Sequence, residues 1–249
     1  LKFRRVLFRS RQLYLNQWVE VETRWLRMDQ FAQGNGACPV DLAGRECWAG
    51  LDLATTFDTT ALVLLFPLDD GTFWVEPHFW IPSENAHQRE RRDKVPYLTW
   101  HRQGHLHMTE GNVTDFDQLR RDINNICTRY RVRGIGLDPW NSAQLGQQLQ
   151  GDGLPMTNFR QGYASMSAPS KQLENWVVSG KLLHGGHPVL GWQAANVAIQ
   201  SDSAAGNIKP SKAKSTERID GIVALVMAIG LWQTATAPTP EQNWDIISL

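Results

Sequence analysis

Three aspartates in this 249-residue chain stand where a solvent-facing charge is not expected. Asp52 lies within WAGLDLA, which otherwise reads as a buried strand. Asp138 ends the apolar GIGLD and precedes Pro139. Asp220 opens a run from Gly221 to Trp232 that contains no charged residue. A buried, unpartnered carboxylate is costly and tends to neutralise. Taken singly, each has a local explanation: Asp52 as a turn cap, Asp138 as a turn opener before proline, and Asp220 as a complement to a helix dipole, worth about 0.3–1 kcal/mol. For Asp220 alone that explanation suffices. Together they carry more. Three carboxylates converging from two strands and a helix would repel one another at low dielectric, and Mg²⁺ or Mn²⁺, with their preference for hard oxygen ligands, would relieve that conflict. Two such ions, about 3.5–4 Å apart, suit activation of a water and stabilisation of the leaving oxygen in phosphodiester cleavage. No Ser, Cys or His nucleophile motif offers a competing chemistry.

The elements that must hold these acids are readable from pattern. WAGLDLA alternates, with Trp48, Gly50, Asp52 and Ala54 on one face. TALVLLFPL and TFWVEPHFWI predict a second and third strand, joined through the hairpin signal Asp69-Asp70-Gly71 into an antiparallel meander. Pro77 predicts an edge or a bulge in the third strand. SENAHQRERRDK predicts a polar helix and HLHMT a short strand. Asp115–Tyr130 predicts an amphipathic helix with Phe116, Leu119, Ile123, Ile126 and Cys127 on one stripe. GIGLD is a buried strand that Pro139 ends, followed by a helix from Asn141 or Ser142. Beyond it come a strand at MTNFRQ, a helix around Pro169–Ser179, a strand at LLH and a helix around Pro188–Gln200. The last element is an apolar helix over Ile219–Trp232. Strands first, then strands alternating with helices, predict an α/β fold with a mixed sheet.

Composition is ordinary for a soluble globular protein, with 42% hydrophobic residues. The 25 basic residues balance the 25 acidic ones, so any grip on nucleic acid has to come from local patches. Three cysteines make no disulfide framework and fit a reducing, intracellular compartment. No apolar run reaches the roughly 18 residues of a spanning helix. Residues 1–10, LKFRRVLFRS, form an N-terminal extension whose VLFRS portion matches a translated sequencing adapter, and they carry no functional argument. Residues 11–45 read as a linker that packs on something outside the chain, 46–235 as the catalytic domain and 236–249 as a disordered tail.

WAGLDLATTFDTTALVLLF, GIGLDPWNS and ERIDGIVALVMAIG, in that order, resemble the nuclease domain of the terminase large subunits of tailed double-stranded DNA bacteriophages. The resemblance runs from about Arg11 to Gln233, and the last motif, Asp followed by an apolar helix with Ala and Met, is the most telling. It implies a ribonuclease H-like mixed sheet with helices on both faces. It also implies Mg²⁺- or Mn²⁺-dependent cutting of concatemeric viral DNA during packaging, with Asp52, Asp138 and Asp220 as metal-binding catalytic acids. Asp58 matches a further acidic position, either supporting a metal or capping the next strand. The implied partners are double-stranded viral DNA, the terminase small subunit and the portal protein, and the implied location is the host bacterial cytoplasm, with no membrane. The family's ATPase motor carries GxxxxGK[ST], which nothing here matches; GGHPVLG lacks the lysine. Residues 11–45 then read as the connection from that motor. Alternatives are another ribonuclease H-like nuclease (a junction resolvase or transposase) and a non-catalytic DNA-binding or motor-docking module of the same fold.

Weaker signals flank these motifs. In NIKPSKAKSTER, Lys209, Lys212, Lys214 and Arg218 stand just before Asp220 and read equally as phosphate contacts or as a solvated loop. RERRDK reads as a solvated helix face, and Lys171 is a still weaker phosphate contact. His101, His105, His107, His184 and His187 hint at zinc. HLH sets two rings on one strand face, but no further ligand stands at a convincing spacing. The eleven tryptophans are read as core packing rather than base-stacking platforms.

Overall fold

The computed structural model describes residues 25–53, 59–84, 86–140, 143–202 and 205–237. Strands β1 (Glu46–Asp52), β2 (Thr60–Pro67) and β3 (Phe73–Pro82) form the expected antiparallel meander. The β2–β3 hairpin closes as Asp69-Asp70-Gly71 predicts. Gly71 takes a positive φ of 78°, and Asp70 Oδ1 accepts from the Thr72 amide at 2.9 Å and its hydroxyl at 2.6 Å.

Beyond the meander, β4 (His107–Thr109) and β7 (Leu182–Leu183) pair parallel with β3, while β5 (Arg131–Leu137) and β6 (Met156–Asn158) extend the sheet from β1 in parallel. The order is β4-β3-β2-β1-β5-β6, with β7 also on β3. Pro77 sits in an edge segment, not a bulge. On its outer side β3 pairs with β7 at Phe73–Trp74 and with β4 at Trp80–Pro82, so the missing N–H of Pro77 falls in the gap between them.

Both faces of this sheet are covered. Helix α1 (Met28–Phe31) stands near the start, α2 (Ala86–Asp93) and α3 (Tyr97–Arg102) follow β3, and α4 (Phe116–Cys127) precedes β5. Next come α5 (Ala143–Gly151), α6 (Tyr163–Val178), α7 (Pro188–Asn196) and α8 (Asp220–Thr236). On one face Leu119, Ile123, Ile126 and Cys127 of α4 and Leu145 and Leu149 of α5 pack on Ala49, Leu51, Leu62, Leu64 and Ile135. On the other, α8 is buried almost throughout, against Val63, Leu65, Val75 and Phe79 and against α6 and α7. A helix apolar all round is a core helix, as the charge-free run indicates.

Several local readings shift. Phe116 is half-exposed rather than on the buried stripe, because Asp115 caps α4 and leaves Phe116 on its outer first turn. Helix α6 starts at Tyr163, so Pro169 lies inside it rather than at its start. The α7 helix stops at Asn196, and β8 (Ile199–Asp202) pairs with β9 (Asn207–Pro210) as a hairpin that spacing did not reveal. Trp25, Leu26 and Phe31, inside the stretch read as a linker packing elsewhere, are buried in this chain's own core. Apolar burial against α6 and α7 outweighs the polar composition around them. Residues 1–24 and 238–249 lie outside the described residues.

Candidate active site

The close approach of α8 to the sheet brings the first and last acids together. A Cβ on Gly50 would stand 1.9 Å from the Ala224 carbonyl oxygen, so only glycine lets the backbones meet there. Side chains alternate along β1, so Asp52, two residues on, shares that face. Leu51 pairs with Leu137. The next residues, Asp52 and Asp138, therefore end adjacent parallel strands at their C-terminal edge, where α/β sites form.

Asp52 and Asp220 are 6% and 1% exposed, and both face Lys212. Its Nζ stands 2.9 Å from Asp52 Oδ2 and 2.6 Å from Asp220 Oδ1. The first contact is an ion pair without hydrogen-bond direction, since Asp52 Oδ2 accepts no directed hydrogen bond. Gln161 Nε2 donates to Asp52 Oδ1 at 3.3 Å, and the Thr59 amide donates to Asp220 Oδ2 at 3.3 Å. Asp220 also opens α8, where the helix dipole favours its negative charge.

The electrostatics are unbalanced. Burial pushes the Asp52 carboxyl above the usual range, Lys212 and Gln161 oppose it, and the charge of Asp138 adds to the rise. Burial alone would lower the Lys212 ammonium, yet the two carboxylates outweigh it and raise it. Burial dominates at Asp52, whereas at Lys212 the two facing carboxylates outweigh burial.

Asp138 ends the neighbouring strand, and its Oδ1 accepts from the Trp140 amide at 3.1 Å. Among the described residues no three His, Cys, Asp or Glu side chains already enclose an ion site. Asp58 lies outside the described residues. The donor chemistry nonetheless fits a hard divalent cation: buried carboxylate oxygens, one lacking a directed hydrogen bond, with a cationic group already between them.

The basic stretch divides. Lys212 enters the acid pair rather than facing a phosphate. Arg218, 12% exposed at its side chain, bonds Asp93 Oδ2 and the Tyr97 hydroxyl, both at 2.8 Å. RERRDK is accordingly not a wholly solvated face, because Arg89 is buried and Asp93 anchors Arg92 and Arg218. Lys209 Nζ donates to Gln161 O at 3.1 Å and lies over the Tyr163 ring. Lys214 is exposed. Gln161 was not anticipated; it follows β6, and a lone glutamine in a loop gives no signal of the carboxylate it meets. Gln193, whose Oε1 accepts from the Gly221 amide at 2.5 Å, also escaped notice.

The histidines disperse. His105 meets His187, His107 lies against Trp80, and His184 bonds the Phe31 carbonyl. The pair in HLH therefore does not share a site. Most described tryptophans are buried or half-buried, while Trp140, two residues past Asp138, is 90% exposed.

An antiparallel meander continued by parallel strands, with acids at the ends of β1 and β5 and at the start of a core helix, defines a ribonuclease H-like α/β domain. Residues 8–236 match the family described as "Terminase large subunit, endonuclease domain". The chain belongs to that family. It is 35% identical over 237 residues to the terminase large subunit of Enterobacteria phage HK97, covering 94% of this chain and 46% of that protein. It is 29% identical over 234 residues to protein YmfN of Escherichia coli K12, covering 89% and 49%. The chain thus spans about half the length of the curated relatives it matches. The crystal structure of the HK97 large terminase superposes with a TM-score of 0.78 at 34% identity, covering 90% of this chain and 46% of that one. The large terminase nuclease of thermophilic phage G20c with bound magnesium superposes at 0.53 and 12% identity, covering 84% and 97%, a likeness of fold. Among the described residues no helix is long and apolar enough to cross a membrane.

Proposed function

We propose that this chain is a divalent-metal-dependent endodeoxyribonuclease, the part of a terminase large subunit that cuts concatemeric viral DNA during genome packaging. The observation that carries this reading is the convergence of buried Asp52 and Asp220 on one ammonium, with Asp138 ending the strand beside Asp52. Asp52, Asp138 and Asp220 would hold Mg²⁺ or Mn²⁺, with Asp58 either supporting a metal or capping the next strand. Two bound ions would supply an activated water and charge neutralisation for phosphodiester hydrolysis. The protein's own contribution is positional. Gln161 holds Asp52 from one side, the Thr59 amide holds Asp220 from the other, and the β1–β5 register sets Asp52 beside Asp138. A group held this way needs little reorganisation when the substrate arrives.

Lys209 and Lys214 remain the proposed phosphate contacts, while Arg218 serves the fold through Asp93. Residues 46–235 form the proposed catalytic unit. An ATPase motor in the part of the relatives not covered here, a small subunit and a portal complete the proposed packaging machine, working in the host cytoplasm. The test is cleavage of supercoiled plasmid by the purified chain. Nicking with Mn²⁺ or Mg²⁺, none with EDTA, and loss in Asp52→Asn, Asp138→Asn and Asp220→Asn with unchanged circular dichroism are the expected results. Undiminished metal-dependent cutting by all three variants would remove the site.

A further inference from the structure

The Lys212 ammonium touches both Asp52 and Asp220, as a cation shared by the two acids would. We propose that Lys212 is a tethered competitor for the divalent ion: it neutralises the acid pair when no ion is bound and leaves the pocket when one enters. The proposal rests on the metal-dependent reading above and adds a regulating residue to it.

Three observations support it. First, the contacts belong to the side chain's tip. Asp52 and Asp220 are buried, yet the Lys212 side chain is 44% exposed, so it reaches the acids from a partly solvated position. Second, the bonds that pin its loop do not involve its side chain. The Ser211 amide donates to Ala198 O at 2.9 Å, and Ser215 Oγ accepts from the Ala198 amide at 3.0 Å and donates to Ser211 O at 2.7 Å. Withdrawal therefore needs rotation of a flexible four-carbon stem and no rearrangement of the loop. Third, there is somewhere for it to go. Lys212 and Asp220 lie in an open polar cleft lined also by Arg92, Ser215, Thr216 and Glu217.

An ammonium is a poor substitute for the ion. It brings one charge where Asp138 adds a third carboxylate nearby, and its contacts at 2.6 and 2.9 Å are longer than the roughly 2.0–2.1 Å of Mg²⁺–oxygen bonds. It does place a positive charge between two buried carboxylates. The consequence is a reduced apparent metal affinity, scaled by the fraction of molecules with the lysine withdrawn.

The experiment compares Mn²⁺ binding to the wild-type chain and Lys212→Gln, by calorimetry and by the ion-induced rise in melting temperature. A withdrawn state populated at about a tenth or less predicts a dissociation constant about tenfold lower, or more, in the variant. It also predicts a lower melting temperature without ion and a larger rise with it. Equal or weaker Mn²⁺ binding by the variant overturns the competitor and leaves the metal reading standing, whereas no Mn²⁺ binding by either protein overturns both. A second measurement does not depend on the variant folding. In the wild-type chain, acetylation of Lys212 by a small reagent, followed by mass spectrometry, should accelerate several-fold on adding Mn²⁺, while Lys214 on the same loop stays constant. An unchanged or slower rate at Lys212 overturns the proposal.

Discussion

Asp52 and Glu76 are both carboxylates on the central meander, on strands flanking β2, and they are treated in opposite ways. Glu76 has a full set of partners. The Tyr130 hydroxyl lies 2.8 and 2.9 Å from its two oxygens, His78 Nε2 is 3.1 Å away, and Arg129 is 3.3 Å away. Burial would raise Glu76, but these partners outweigh it and hold the carboxyl below its ordinary range. Asp52 shares one lysine with Asp220 and has Asp138 close by, and its carboxyl is raised. Asp52 is buried and Glu76 half-buried, so burial works harder on Asp52. The partners then widen the difference, because Glu76 meets several positive or hydrogen-donating groups while Asp52 shares its lysine. An acid with several partners of its own belongs to the fold; a buried one that shares its cation with a second acid is where the proposed ion would be held.

The sharpest way to break this contrast is to neutralise each acid in turn. Asp52→Asn should lower plasmid cleavage by about 10³-fold or more, with a melting temperature no lower than wild type. Glu76→Gln should leave cleavage within about twofold while destabilising the fold by about 1–3 kcal/mol, the usual range for disturbing a hydrogen-bonded charge. Similar cleavage losses in both variants would erase the distinction.

Gly50 tests the same contrast through the backbone. An alanine Cβ would collide with the Ala224 carbonyl, which is helix backbone and cannot swing aside. Gly50→Ala should cost about 3 kcal/mol, at the upper end of overpacking effects, measured by chemical denaturation. It should also push α8 off β1, parting Asp220 from Asp52, while the Glu76 cluster on the opposite face stays intact. Retained cleavage in a fully stable Gly50→Ala chain would contradict the close approach.

Acidification separates the two acids by sign. A depressed folded pKa stabilises the native state above the ordinary glutamate value, and that contribution fades as pH falls through the folded value. Glu76 should therefore support the wild type at neutral pH and lose its contribution below about pH 4.5. The stability gap between wild type and Glu76→Gln should accordingly narrow as pH is lowered from 7 to 3, followed by thermal melts.

Much of this was legible in the sequence, for identifiable reasons. The meander and the core helix were readable because alternation, the Asp-Gly turn and a charge-free run are local signals. Asp52 and Asp220 were found for the same reason, as charges interrupting apolar patterns. Glu76 drew no notice, although it sits in the equally apolar FWVEPHFW, because its partners Arg129 and Tyr130 come from more than fifty residues away. Distance in sequence also hid Gln161. Lys212 was singled out, but as a phosphate contact, since a lysine-rich loop looks the same whether its amines point out or in. The β8–β9 hairpin was missed because four-residue strands hardly establish a period.

The smallest expected effect lies at Lys214, on the same loop as Lys212. Lys214 is exposed, two residues along the same loop, and so it represents the solvated alternative that Lys212 does not take. Under the proposed function it contributes at most one phosphate contact. Lys214→Ala should therefore weaken binding to a duplex of any sequence by only a few-fold and reduce the slope of log affinity against log salt by about one. Mn²⁺ affinity should not move, because no acid of the site depends on that amine. Fluorescence anisotropy across a salt series, with Ca²⁺ replacing the cleavage-supporting ions, measures the first two quantities, and calorimetry the third. A Lys214→Ala chain that bound Mn²⁺ more tightly would show that general loop charge, rather than the one ammonium inside the pocket, sets the balance at Asp52 and Asp220.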